Sequence, residues 1–199
     1  MAQYTIKTFY DFFSSGTLEN FEVNSATIVT DETHRGDYAV FTGDQEAEQA
    51  QFRVNPFDSP VKPVYVNFWS YETSSSGGNG YRVRNSDGDW EMGVACDNPN
   101  IDLDDANGVE TDVLGTGYEG WWRATTYFDW ERNTFDIEIE QPSQNNYVFE
   151  RNRPLKVGKD LEQFEFWAYH GYEEGELGSE ENWGGWGVHC WWDSIEVVL

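Results

Sequence analysis

A two-residue alternation of apolar and polar side chains dominates this chain, and it limits the fold to β-sheet. In Thr134-Phe135-Asp136-Ile137-Glu138-Ile139-Glu140 the apolar residues take every second position and the acids fall between them. Successive side chains of a strand point to opposite faces. Phe135, Ile137 and Ile139 therefore face a core, and Asp136, Glu138 and Glu140 face away from it. The runs 64–72, 81–84, 90–95, 123–129, 162–170 and 186–198 read as further strands, rich in aromatic and β-branched residues. Asn85-Ser86-Asp87-Gly88-Asp89 lies between two such runs and signals a hairpin, because Gly accepts the positive φ of a tight turn. Turn-like clusters at 74–80, 97–108, 115–120 and 173–185 separate the runs. No amphipathic segment of helix length and no solenoid or propeller repeat is visible. About ten to twelve strands punctuated by turns predict an all-β, two-sheet antiparallel β-sandwich of jelly-roll type. With no linker, residues 1–199 read as one domain, long enough to bury a core without disulfides or a metal.

Charge narrows the partners. The chain carries 37 acidic and 12 basic residues, a formal net charge of −25. Nucleic-acid binders need Lys and Arg to replace phosphate counterions, so nucleic acid is excluded as a partner class, and an anionic membrane surface is disfavoured. An aromatic content of 17% separates the chain from disordered acidic tails. Only four Lys are present, Lys7, Lys62, Lys156 and Lys159. Few Lys and surplus Asp and Glu on an aromatic core are a halophilic composition, since molar salt shortens the Debye length to about 3 Å and quiets the self-repulsion. The competing reading is an ordinary acidic secreted protein. The N-terminal Met-Ala-Gln-Tyr-Thr-Ile-Lys has no apolar core of a leader, and no run reaches transmembrane length. Neither a cleaved leader nor membrane insertion is expected. Cys96 and Cys190 are either one bridge or two buried thiols.

Two separated stretches resemble a known group. Phe12 to Phe41, with Phe-Glu-Val followed by His34-Arg35-Gly36-Asp37-Tyr38-Ala39-Val40, resembles the opening of carbohydrate-binding jelly rolls. Trp191-Trp192-Asp193-Ser194-Ile195-Glu196-Val197 is similar to their last strand, with Ser194 where a second Asp is usual. The middle, Val66 to Glu72 and Arg82 to Trp90, looks like concanavalin A-like (LamG-type) domains of haloarchaea and their viruses. The resemblance implies a lectin-like jelly roll. It also implies a structural Ca²⁺ held by Asp11, Asp37 and Asp193, with backbone carbonyls completing the six to eight oxygens that the ion takes.

Few residues offer catalysis. Asp136, Glu138 and Glu140 share a strand face, and i,i+2 carboxylates meet roughly the ~5 Å separation of a retaining glycosidase. Concanavalin A-like glucanases carry Glu-x-Asp-x-(x)-Glu, and the order here differs, so a solvated acidic face is the preferred reading. His34, His170 and His189 form no HExxH, and no Gly-x-Ser-x-Gly occurs. Asp102 to Gly108 departs from a Ca²⁺ loop at Ala106 and reads as an acidic turn. No catalytic residue is assigned.

The aromatics carry more. Phe68, Trp69, Phe128, Phe135, Phe166 and Trp192 lie in strand-like runs and are expected in the core. Trp121, Trp183 and Trp186 flank loops and suit stacking on sugar rings, with Tyr172 and Asn182 as hydroxyl partners. The same rings equally suit a protein interface. The expected function is a non-enzymatic surface or adhesion protein of a halophilic archaeal virus: a capsid decoration, turret or tail-fibre element on the virion surface. It would bind host glycans or glycoproteins and other virion proteins as a homo-oligomer. The alternatives are a secreted glycoside hydrolase or carbohydrate-binding module on the same fold, and a ligand-free cement protein.

Overall fold

The segment Thr134–Gln141 alternates between half-buried and buried at every step. Its parity is the one expected, with Phe135, Ile137 and Ile139 fully buried. The computed structural model describes residues 8–11, 13, 15–19, 21–24, 26–42, 49–72, 78–97, 100–115, 120–169 and 190–199. In chain order the strands are β1 (Thr8–Asp11), β2 (Glu22–Asn24), β3 (Ala26–Val29), β4 (Ala39–Thr42), β5 (Gln49–Val54), β6 (Tyr65–Glu72), β7 (Gly78–Asn85), β8 (Trp90–Asp97), β9 (Asn100–Asp105), β10 (Gly108–Gly115), β11 (Gly120–Asp129), β12 (Thr134–Gln141), β13 (Asn146–Pro154), β14 (Leu161–Tyr169) and β15 (Cys190–Val198). Among the described residues the only helical element is one 3₁₀ turn, Pro142–Gln144, and no helix is long and apolar enough to cross a membrane.

The larger sheet runs β13-β12-β11-β6-β15-β4-β3, with β1 paired to the second half of β15. The smaller runs β10-β9-β8-β7-β14-β5-β2. Every strand pair is antiparallel. The core lies between the two inner faces. Phe68 of β6 meets Trp122 and Trp192 from its own sheet at 5.3 and 5.8 Å, and Tyr81 and Phe166 from the other at 5.1 and 5.6 Å. Burying each such side chain contributes about 1.5–3 kcal/mol.

The strands exceed the expected number for a local reason. Segment 97–108 reads as a turn because acids crowd it, yet Ile101 and Leu103 are buried and β9 forms there. Asp105 then closes the β9–β10 turn by accepting the Asn107 N–H at 2.6 Å. Likewise β7 begins at Gly78, inside the expected 74–80 turn. The β7–β8 hairpin falls where Asp-Gly placed it. Asn85 Oδ1 accepts the N–H groups of Asp87 and Asp89, and Gly88 takes φ 87°. Cys96 and Cys190 are both buried and form no disulfide.

Candidate functional site on the outer face of the larger sheet

In antiparallel strands, residues directly opposite share a face. On the outer face of the larger sheet, registers align Phe41, Trp191, Tyr71 and Trp121 across β4, β15, β6 and β11. Successive ring centres in this row lie 5.1, 5.5 and 5.7 Å apart. The next row is Asp193, Trp69, Arg123, Glu140 and Tyr147, and the one after it Glu196, Asn67, Thr125, Glu138 and Phe149. Tyr65, Tyr127 and Asp136 follow. The face is an aromatic surface interrupted by carboxylates and one central guanidinium.

Arg123 sits between the two glutamates, 3.5 Å from Glu138 and 3.2 Å from Glu140. Its guanidinium also lies 5.7 Å from the Trp69 ring centre. The Tyr127 hydroxyl donates toward Glu138 at 3.4 Å, and Thr125 donates to Asn67 at 2.9 Å. Burial, and then the Glu138 charge, push the Tyr127 phenol above its usual range.

The connection 30–38 between β3 and β4 reaches this face. His34 stacks on Trp69 with ring centres 3.8 Å apart and planes 16° from parallel, and lies 5.4 Å from Trp121. Asp193 anchors the connection: its Oδ2 accepts the backbone N–H groups of His34 and Arg35 at 3.0 and 2.6 Å. Ser194 at φ 54° carries a bulge between Asp193 and Glu196, and its hydroxyl donates to Asp193 Oδ1 at 3.1 Å. Bulges re-aim side chains. This one leaves Asp193 on the outer face while Ile195 returns to the core. Burial pushes the Asp193 carboxyl above its usual range, against the pull of these hydrogen bonds.

Burial, then Arg35 and Arg123, push His34 below the ordinary histidine range. A group with a depressed folded value keeps its docking above its unfolded pKa and loses it as pH falls through the folded one. The His34–Trp69 stack is therefore expected to loosen on acidification below about pH 6.5. Trp fluorescence of wild type against Trp69→Phe reads this directly, and equal pH profiles would contradict it.

Of the expected sugar-contacting residues, Trp121 is half-buried on this face. Tyr172, Asn182, Trp183 and Trp186 lie outside the described residues, in the segment between β14 of the smaller sheet and β15 of the larger. Trp69, expected in the core, points outward instead. Val66 and Phe68 take the inward parity of β6, which leaves Trp69 and Tyr71 on the other side. That signal stood in the sequence. His34 over Trp69 had none, because it depends on a turn folding across two strands.

Of the three carboxylates expected to hold Ca²⁺, the side chains of Asp193 and Asp37 are described. The Asp193 oxygens already receive N–H and O–H donors, and Asp37 is exposed. β1 pairs Asp11 with Ile195, and its side chain lies outside the described residues. Among the described residues no three His, Cys, Asp or Glu side chains gather as a cation site.

No protein-family profile matches the sequence, and no characterised relative is detected by sequence. Solved structures do match. The endo-β-1,4-glucuronan lyase of the fungus Trichoderma reesei superposes with TM-score 0.62 at 14% identity, over 96% of this chain and 94% of that one. Winged bean acidic lectin, in complex with methyl-α-D-galactose, gives 0.60 at 9% identity over 98% and 100%. The fold is the concanavalin A-like jelly roll. A sialidase also matches, with TM-score 0.67 at 9% identity, but the chain spans only 18% of its length. At these identities the likeness establishes architecture and leaves activity to the residues.

Proposed function

We propose that this protein is a non-enzymatic glycan-binding protein and that the outer face of the larger sheet is its binding surface. The observation that carries the reading is the face itself. Tyr71 and Trp121, with Trp69 stacked under His34, lie beside Arg123, Glu138, Glu140 and Asn67, so aromatic rings sit next to hydroxyl-binding groups. The names of the superposing structures, a lectin and a glycan lyase among them, support a glycan as its ligand. Replacing Trp121 or Tyr71 with Ala is expected to weaken glycan binding roughly ten- to hundredfold, from about 1.5–3 kcal/mol of lost apolar contact. Far-UV circular dichroism should stay unchanged. Unfolding of these variants, or binding that survives them, would move the site elsewhere.

A second reading, a glycoside hydrolase or lyase, is favoured by Glu138 and Glu140 sharing the face of β12 beside Arg123. Loss of polysaccharide cleavage in Glu138→Gln or Glu140→Gln, against a wild type that cleaves, would establish it. Wild type inactive on a broad polysaccharide panel supports the binding reading.

The setting we propose is the virion surface of a halophilic archaeal virus, as a homo-oligomeric adhesion or decoration element. The net charge of −25 with four Lys supports the salt requirement. The melting temperature is expected to fall as NaCl drops from molar to millimolar, because the unscreened acids then repel one another. A melting temperature constant across that range would remove the halophilic premise. Mass spectrometry of purified virions tests the location.

A further inference from the structure

Resting on that glycan-binding reading, we infer that the ligand is an uncharged glycan, bound as a chain of several rings laid across the strands. The charge argument starts at the centre. Arg123 is the cation of the middle rows, and Glu138 and Glu140 flank it at 3.5 and 3.2 Å. Asp136 and Glu196 add two more carboxylates to the same face. At the margins Arg35 and Arg151 contribute positive charge, the latter 4.7 Å from the Phe149 ring centre. A uronate or sialate at the centre would place a third carboxylate around one guanidinium, inside a chain of net charge −25. A neutral sugar meets no such penalty, and its hydroxyls can donate to Glu138 and Glu140.

The geometry sets the shape. The outward rows cross six neighbouring strands, from β4 through β15, β6, β11 and β12 to β13. Five inter-strand spacings of about 4.8 Å give a face roughly 24 Å wide. Aromatic side chains stand at both ends, half-buried Phe41 at one and Tyr147, 57% exposed, at the other. A single ring cannot touch both ends, whereas an extended chain can.

The test uses matched pairs of oligosaccharides, two to six rings long, on gluco-, manno- and galacto- backbones, each in neutral and C6-carboxylated form. Isothermal titration in 0.15 M and 2 M NaCl is expected to show the neutral member at least about tenfold tighter in low salt, a gap of 1.4 kcal/mol, narrowing in high salt. The hexamer should bind at least about tenfold tighter than the dimer. The double variant Glu138→Gln/Glu140→Gln should lose most of the discrimination although the net charge moves only from −25 to −23. Carboxylated chains binding as tightly as neutral ones, or dimers as tightly as hexamers, would overturn the inference and leave glycan binding standing. Discrimination kept by a folded double variant would assign it to the whole-chain field and equally overturn the local argument. If a folded wild type binds no member of either series, the glycan-binding reading itself falls.

Discussion

Glu91→Ala is expected to lower stability by about 3–5 kcal/mol, because it leaves several N–H donors without their buried acceptor. For a domain of this length that is a fall in Tm of roughly 6–20 °C. Glu91 is 0% exposed on β8 and accepts four N–H groups: Asn85 Nδ2 at 2.8 Å and the backbones of Val157, Gly158 and Lys159 at 2.9, 2.8 and 3.0 Å. It thereby ties the β7–β8 hairpin to the loop that enters β14. Gly158 is required there, with φ 79° and a position where a Cβ would lie 2.6 Å from the Asn133 side chain. Truncating Glu91 leaves four donors facing a small void, each at a cost of about 1–3 kcal/mol unless water enters. Glu91→Gln retains one acceptor oxygen but turns an NH₂ group toward donors, and should fall between Ala and wild type. Because β8 belongs to the smaller sheet, glycan affinity of the folded fraction should not change. Chemical denaturation checks the prediction, and a loss under about 1 kcal/mol would show that the network is not what holds the loop.

Asp193→Ala is the second large effect, and it joins stability to the site. Its carboxylate holds the 30–38 connection through the His34 and Arg35 N–H groups. Losing charge-assisted bonds of this kind costs about 1.5–3 kcal/mol. His34 would then leave Trp69, so binding at the face should change together with Tm, whereas exposed Asp37→Ala should change neither. Asp193→Asn keeps an acceptor oxygen and should hold the turn. The pH dependence separates it from wild type. Burial raises the folded value of Asp193, so the native state holds the proton more tightly than the unfolded chain. That contribution to stability is present at low pH and falls as pH rises through the folded value, from about pH 4 upward. The Asn variant should lack this component. A melting temperature that drops on EDTA at constant ionic strength in wild type, but not in Asp193→Asn, would instead assign Asp193 to a cation.

How far the fold could be read in advance varies along the chain. The β12 alternation gave its faces correctly because every apolar residue there is buried and every acid outward. The Asp87-Gly88 turn was legible because backbone conformation at Gly is a local property. β9 was not, because Asp102 and Asp105 look like turn residues until the structure shows both buried, Asp105 paired with Arg153 at 2.6 Å. Nothing near either residue in the chain marks a partner 48 positions away.

The site divides along the same line. By itself the sequence determined an all-β sandwich, an acidic surface, and the shared outward face of Asp136, Glu138 and Glu140, since period-two patterning and charge are properties of neighbouring residues. Only the tertiary structure decided that this face meets Trp69, Tyr71, Trp121 and Arg123, because strand order and register come from pairings between distant segments. It alone placed His34 over Trp69, through the Asp193 carboxylate that accepts the N–H of His34, 159 residues earlier in the chain. Period-two patterning says which side of a strand a residue takes; which strands lie beside it is set by the packing of the whole core.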